Sequence, residues 1–351
     1  MISQEIIFFT SFLAFIFFVL ALDLGVFSKS NKAVNFKQAA IMSGIWVALA
    51  LGFYFFLRNF GDLIHNIQSL DELKLLISKN QHNVKISADP ALFAQSLKLY
   101  NINLSLEFIT GYVVEYALSV DNIFVMVLIF TAFNVDKKQY HRVLFWGILG
   151  AVILRFIFIF TGATLISKFE WIIYIFGAFL IYTGIAMFIS REKEEEIDTE
   201  NHPVVKFASR IFSVHPVFEG DKFFIKIKGK RYITPLFIVL LVIEFTDVIF
   251  AVDSIPAIFA VTKDPYIVFF SNIFAILGLR SMFFLLVNVI HKFYFLKTGL
   301  SFLLIFIGAK MLAHDYLDDL GFTTAHSLYI ILFILAGSIA ISLIFPKPKK
   351  N

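Results

Sequence analysis

The sequence predicts an all-α, polytopic membrane protein with about nine transmembrane helices. Of its 351 residues, 59% are hydrophobic and only 16% are charged, a composition typical of chains solvated by lipid. Uncharged apolar runs of about 20 residues, long enough to cross a hydrocarbon core as a helix, recur along the chain. We place these spans at residues 6–27, 39–57, 107–133, 143–167, 170–190, 233–262, 266–290, 297–313 and 327–346.

The spans and the segments between them organise the chain. The predicted segments are two N-terminal transmembrane helices (1–57), an extracytoplasmic connection (58–106), a first repeat (107–190), a cytoplasmic linker (191–232), a second repeat (233–313), and a C-terminal helix with a cytoplasmic tail (314–351). Most Lys and Arg residues fall in loops that share one side of this topology, and such loops face the cytoplasm. We therefore expect the N-terminus outside and the C-terminus in the cytoplasm.

Two three-helix segments resemble each other in the order and spacing of their motifs. The matching pairs are "YALSVDNIF" (116–124) with "VIFAVDSIP" (248–256), "ILGAVILRFIF" (148–158) with "IFAILGLRSMF" (273–283), and "FLIYTGIAM" (179–187) with "LLIFIGAKM" (303–311). Because each unit has an odd number of spans, the second must enter the membrane from the opposite face. This is an inverted repeat, which many secondary transporters use to build a binding site at the membrane midplane.

Five carboxylates are predicted to lie within the membrane, namely Glu115, Asp121, Glu244, Asp247 and Asp253. An ionised side chain at the bilayer centre costs about 2.5–3.5 kcal/mol on insertion scales, so five unpaired acids would cost on the order of 12–17 kcal/mol. Two intramembrane arginines, at 155 and 280, can neutralise two of them in a purely structural arrangement. The other three must be protonated or bound to a cation, which predicts an ion-binding site.

Helical geometry divides the candidate ligands between two faces. Asn122 and Ser254 each follow an acid by seven residues, so each lies within about 20° of its acid on one face. The acids at 121 and 253 lie about 120° away, and an unbroken helix would not close each pair around one ion. Pro256 removes the amide that would bond the carbonyl of Val252, so we expect a helix break beside Asp253.

The available ligands indicate a hard cation. Carboxylate, amide and hydroxyl oxygens suit Mn²⁺, Ca²⁺ or Mg²⁺, and the chain has no Cys to offer as a thiolate ligand. A divalent ion leaving an inside-negative cell climbs about 4.6 kcal/mol per 100 mV, so export needs a driver. Carboxylates that take up protons when the metal leaves would supply it. The residues alone do not decide the direction of transport or the ion.

Four longer motifs carry a resemblance to a known family. They are "EFITGYVVEYALSVDNIFV" (107–125), "HRVLFWGILGAVILRFIFIFTGATLI" (141–166), "GDKFFIKIKGKRYITPLFIVLLVIEFTDVIFAVDSIPAIFAVT" (220–262) and "SNIFAILGLRSMFFLL" (271–286). They resemble the TerC family of integral membrane proteins, in particular its Alx-type branch. Tyr116 and Ala117 depart from that pattern, where a Lys-Ser pair is more usual, and the connection 58–106 is longer than expected.

The resemblance implies a fold of the LysE-like cation exporter superfamily, a bacterial inner membrane location and manganese efflux. It places Glu115, Asp121, Asp247 and Asp253 on the metal pathway, and Glu107 and Glu244 also fall on motif positions. Arg155 and Arg280 are then expected to act as ion-pairing or gating residues. No permanent cofactor, catalytic residue or nucleic-acid partner is expected. The expected partners are the lipid bilayer, Mn²⁺ in preference to Ca²⁺ or Mg²⁺, and protons as counter-ions.

Two alternatives to a manganese exporter stay open on the sequence. One is a Ca²⁺ transporter that uses the same oxygen ligands. The other is a non-transporting membrane partner or complex subunit, linked to metal or tellurite stress, that binds proteins through its loops at 58–106 and 191–232. That second alternative predicts that neutralising Asp121 or Asp253 leaves function intact. The sequence leaves the oligomeric state and the transport stoichiometry undetermined.

Overall fold

The computed structural model describes residues 4–28, 35–190, 198–199, 202–287 and 295–345. Much of the predicted cytoplasmic segment at 28–38, the charge run that opens the linker at 191 and the C-terminal tail beyond 345 lie outside these residues. The helices are α1 (Gln4–Ser28), α2 (Phe36–Phe60), α3 (Leu70–Asn80), α4 (Phe93–Ala132), α5 (Tyr140–Lys168), α6 (Ile172–Ser190), α7 (Pro203–Ile211), α8 (Pro235–Phe259), α9 (Pro265–Leu286), α10 (Leu296–Leu312), α11 (His314–Asp319) and α12 (Thr324–Ile344). The predicted all-α class is confirmed.

The apolar helices coincide with the predicted spans. In the described ranges, eight helices are long and apolar enough to cross a membrane: α1, α2, α4, α5, α6, α8, α9 and α12. The remaining predicted span, 297–313, coincides with α10, which has 17 residues. The fold is therefore that of a polytopic helical membrane protein.

Helix α4 differs from the predicted span 107–133 at its N-terminal end. It begins at Phe93 and runs for 40 residues, so the irregular part of the predicted connection 58–106 is shorter than expected. The added turns contain polar residues, and apolar periodicity therefore did not reveal them. Ser96, Tyr100 and Asn101 are buried there, and Asn101 Nδ2 donates to Asp62 Oδ1 at 2.8 Å. Tertiary contacts, rather than contact with lipid, thus stabilise this end of α4.

Two smaller elements lie outside the membrane-spanning helices. The amphipathic segment 69–79 forms α3, where Ser69 caps the helix by accepting a hydrogen bond from Glu72 N at 3.3 Å. The segment 222–233 forms an antiparallel hairpin of β1 (Phe224–Ile227) and β2 (Lys230–Ile233). Its two turn residues, Lys228 and Gly229, both have positive φ, as a tight hairpin turn with the native strand twist requires.

Helix α9 is the centre of the bundle and is buried along almost its whole length. It contacts α2, α4, α5 and α8. Phenylalanine rings from α1, α2 and α9 fill the space on one side of it, with Phe12 and Phe270 only 4.3 Å apart between ring centroids and Phe53 stacked on Phe274. These rings are core residues, although no sequence pattern separates them from lipid-facing Phe.

Two close contacts between α6 and α10 are related to each other by the internal repeat. A Cβ placed on Gly308 would lie 2.6 Å from Gly177 O, and one placed on Gly184 would lie 2.8 Å from Ser301 O. The alignment of 179–187 with 303–311 equates Gly184 with Gly308. Extended two residues before the start of these blocks, it also equates Gly177 with Ser301. Exchanging the two repeats therefore converts each of these contacts into the other. Such reciprocity is what an approximate two-fold axis between the repeats produces.

Candidate functional site

A buried ion-pair cluster lies where both repeats meet. Arg155 of α5 donates from Nη1 to Glu115 Oε1 of α4 and to Asn272 Oδ1 of α9, the latter at 3.0 Å. Its Nη2 and Nε atoms donate to Asp247 Oδ1 and Oδ2 of α8, at 3.2 and 3.5 Å. All four side chains are at most 3% exposed. One guanidinium thus neutralises half of the charge of two carboxylates.

Several polar atoms around this cluster have no hydrogen-bond partner. Within the described residues they are Glu115 Oε2, Asn122 Nδ2, Ser254 Oγ and Asn272 Nδ2. A buried polar atom without a partner costs about 1–3 kcal/mol, so several in one place require an explanation. The local site combines a net negative charge with carboxylate and hydroxyl oxygens that make no hydrogen bond, and such oxygens favour a cation.

The two predicted faces of α4 and α8 are distinguished by burial. Glu115 and Asp247 are buried, as are the amide and hydroxyl that follow them by seven residues. Asp121 and Asp253 are only half-buried. Asp253 Oδ1 accepts a hydrogen bond from Thr183 Oγ1 of α6 at 3.2 Å, and Asp121 lies about 9 Å along α4 from Glu115. The structure therefore brings the two acids of one face together on Arg155, whereas the two acids of the other face are more exposed.

Glu244 lies between α8 and α5. Its Oε2 atom is buried without a hydrogen-bond partner in the described structure, and its carboxylate lies directly against Gly150. A Cβ on Gly150 would overlap this carboxylate, whereas a Cβ on Gly147, one turn earlier, has its nearest neighbour at 3.5 Å. Only a glycine at position 150 leaves room for the acid.

We expect Gly150→Ala to displace the Glu244 side chain with little loss of stability, because the overlapping atoms belong to a flexible side chain. The measurement is the rate at which a hydrophobic carbodiimide labels Glu244 in the membrane, followed by mass spectrometry of the peptide. Labelling should rise at least threefold in Gly150→Ala and stay unchanged in the matched control Gly147→Ala. Equal labelling in both variants would show that Glu244 does not depend on this cleft.

Two other predicted residues lie on α9 and α8. Arg280 is buried on α9, two helical turns after Asn272. Pro256 does not break α8, which continues through it to Phe259. Because the proline stands in the last turn, only the hydrogen bond to the carbonyl of Val252 is lost, and the helix ends three residues later anyway. The expected helix break beside Asp253 is therefore not observed.

The predicted ligands do not form one coordination sphere in this arrangement. No group of three His, Cys, Asp or Glu side chains, among those the structure describes, is placed to hold a metal ion. The physical reason is that Arg155 lies between Glu115 and Asp247, while the remaining acids point from other faces of α4 and α8.

A second buried polar cluster was missed in the sequence. His65 Nε2 lies 2.7 Å from Asp264 Oδ2, and His82 Nδ1 lies 2.9 Å from Glu107 Oε2. Thr262 Oγ1 donates to the same Glu107 oxygen at 2.6 Å. These contacts attach the connection between α2 and α4 to the N-terminal end of α9. Its members come from distant parts of the chain, so no spacing pattern could have revealed it.

The histidines of this cluster are held in the charged form. Burial alone would lower the pKa of His65, but the charge and hydrogen bond of Asp264 raise it to about 9. Burial likewise opposes protonation of His82, and Glu107 raises its pKa. The pKa of Asp264 is lowered because both imidazoliums outweigh the effect of its burial. The cluster is thus a set of ion pairs in which His65, His82 and Asp264 lie outside the membrane-spanning helices and Glu107 lies on α4.

The fold and the buried charges define a polytopic helical membrane protein with a charged site inside its bundle. The chain belongs to the integral membrane protein TerC family, whose sequence pattern matches residues 101–350. It is 44% identical over 333 residues to "Uncharacterized membrane protein STKORF319" of Myxococcus xanthus, covering 95% of this chain and 91% of that protein. It is 42% identical over 299 residues to "Putative membrane-bound redox modulator Alx" of Escherichia coli K12, covering 85% and 83%. No solved structure matches significantly.

Proposed function

We propose that this protein is a secondary transporter that exports Mn²⁺ across the bacterial inner membrane in exchange for protons, with its N-terminus outside and its C-terminus in the cytoplasm. The observation that carries the proposal is the meeting of Glu115 and Asp247 inside the bundle. These two acids occupy equivalent positions in the two repeats, and they are brought together on one buried guanidinium.

The choice of ion rests on the chemistry of the site and on the family. The groups that surround the cluster offer carboxylate and hydroxyl oxygens as ligands, and a chain without Cys cannot bind a soft metal through thiolates. Mn²⁺, Ca²⁺ and Mg²⁺ all accept such ligands. Membership of the TerC family favours Mn²⁺ among them, through the resemblance to cation exporters.

Exchange for protons follows from the energetics of export. A divalent ion that leaves an inside-negative compartment climbs about 4.6 kcal/mol per 100 mV, while protons move inward down the same potential. Buried carboxylates are suited to this coupling, because an acid that loses its cation inside a low-dielectric bundle gains a proton readily. Glu244 and Asp253, which have few polar contacts, extend the set of acids along α8.

The relatives named Alx are described as redox modulators. This chain contains no Cys, so its own side chains cannot perform thiol-disulfide exchange. A transporter offers a different route to a redox effect, because it changes the cellular content of a redox-active metal.

The test is transport by the purified protein in proteoliposomes that contain a Mn²⁺-sensitive dye. We expect an acidic lumen to drive Mn²⁺ uptake, and Asp247→Asn and Glu115→Gln to reduce its rate at least tenfold. The matched control is Asp71→Asn, which removes an exposed carboxylate from α3. Parallel assays with Ca²⁺ and Mg²⁺ identify the ion. The proposal is wrong if the wild type moves none of the three, or if both variants transport at the wild-type rate.

A further inference from the structure

We infer that Arg155 is a built-in counter-cation that competes with the transported metal for Glu115 and Asp247. This inference rests on the proposed function. Three nitrogen atoms of one guanidinium contact both carboxylates, and the guanidinium is fully buried between α4, α5, α8 and α9. It therefore occupies the position between the two acids that a metal ion binding both of them would take.

The polar atoms near the cluster point to more than a structural ion pair. Buried ion pairs are stable only when additional hydrogen bonds satisfy the remaining polar atoms. Here the Ser254 side chain interacts with the Glu115 carboxylate, but neither Glu115 Oε2 nor Ser254 Oγ makes a hydrogen bond of normal geometry in the described structure, and both side chains are at least 98% buried. A hard cation would use these oxygens as ligands. The guanidinium of Arg155 only donates hydrogen bonds, and it does not reach these two atoms.

Charge accounting leads to the same conclusion. Glu115 and Asp247 together carry two negative charges when ionised, and the one positive charge of Arg155 leaves the group at −1. A divalent ion in its place would neutralise the group. Both cations cannot fit between the same oxygens, so metal binding requires the guanidinium to leave, and its return helps to expel the metal. A guanidinium stays protonated in proteins, so this competitor is always present.

Competition of this kind also has a role in an exchange cycle. A transporter that has released its ion must return with its carboxylates buried, and an unpaired buried charge is costly. Arg155 supplies a partner from within the protein. Arg155 lies on α5 of the first repeat and Asp247 on α8 of the second, so this pairing can be made and broken as the repeats move against each other.

The experiment measures Mn²⁺ binding to the purified full-length protein by the electron paramagnetic resonance signal of free Mn²⁺. Arg155→Met, which keeps the length of the side chain but removes its charge, should bind Mn²⁺ at least tenfold more tightly than the wild type. Arg155→Lys, a point charge that cannot bridge both acids in the same way, should lie between them. The control is Arg142→Met, which removes a half-exposed arginine of the same helix and should leave the affinity unchanged.

Thermal unfolding provides the second readout. Without metal, Arg155→Met leaves two buried acids without their partner and should unfold at a lower temperature than the wild type. Saturating Mn²⁺ should raise its unfolding temperature by more than it raises that of the wild type. Adding Asp247→Asn to Arg155→Met should abolish the gain in affinity, because one of the two contested ligands is then gone.

The outcomes separate this inference from the proposed function. If neither the wild type nor any Arg155 variant binds Mn²⁺, Ca²⁺ or Mg²⁺, the proposed function is wrong and the inference is wrong with it. If the wild type binds Mn²⁺ but Arg155→Met binds equally well or more weakly, the metal site stands and competition is overturned. Arg155 would then be a positioning residue that holds the two acids in place.

Discussion

Raising the pH above about 9 is expected to release the connection between α2 and α4 from the rest of the bundle. His65 and Asp264 form an ion pair whose side chains are at most 5% exposed. The pKa of His65 is raised from 6.5 to about 9 because Asp264, and to a lesser degree Glu5, favour its charged form over the opposing effect of burial. A shift of this size corresponds to about 3 kcal/mol of stabilisation.

The sign of the effect follows from the direction of each pKa shift. The contribution of His65 is fully present below pH 6.5 and is lost as the pH rises through about 9. Asp264, whose pKa is lowered from 3.8, contributes above that value and loses its contribution only in more acidic solution. The ion pair should therefore be strongest between about pH 4 and 6.5. The pKa of neighbouring His82 is also raised, so its ion pair with Glu107 likewise loses its contribution as the pH rises.

Hydrogen exchange of residues 61–83, corrected for the intrinsic effect of pH, measures this release. The opening equilibrium should rise about 100-fold between pH 6.5 and 10 in the wild type. His65→Gln should already be open at pH 6.5 and should respond much less to pH. His215→Gln, which changes a histidine of the loop before the hairpin, is the control and should behave as the wild type. If the opening equilibrium of the wild type rises with pH no more than that of His65→Gln, this ion pair does not hold residues 61–83 against the bundle.

The second large effect is expected at the contact between α6 and α10. A Cβ at position 308 would lie 2.6 Å from Gly177 O and 2.9 Å from the Ile181 side chain. A backbone oxygen cannot rotate away as a side chain can, so Gly308→Ala must push the two helices apart. Overpacking of this kind typically costs about 1–3 kcal/mol. The thermal unfolding temperature in detergent should fall accordingly.

Gly52→Ala on α2 is the matched control for this substitution. No atom lies within 4 Å of the added methyl group, so the variant should be as stable as the wild type or slightly more stable, since alanine favours a helix more than glycine does. Gly184→Ala, which meets the repeat-related contact at Ser301, should resemble Gly308→Ala. Equal unfolding temperatures for all three variants would show that α6 and α10 are not in backbone contact.

Much of the architecture could be predicted from the sequence because lipid imposes simple rules on it. A span must be apolar over about 20 residues, so the helices could be located from hydropathy alone. The repeat could be recognised because its motifs keep their order and spacing. The division of α4 and α8 into a buried and a half-buried face followed from helical periodicity, which placed Asn122 beside Glu115 and Asp121 elsewhere.

The partners of the charged side chains depended on the tertiary structure. Arg155 could have paired with any of five acids, and only the packing of four helices decided that it would hold Glu115 and Asp247 together. The His65–Asp264 pair joins residues 199 positions apart, which no local pattern connects. Hydropathy and periodicity act along one helix, whereas ion pairing depends on distances between helices. The sequence alone therefore determined where the helices are and which faces are polar, and the fold decided which polar groups meet.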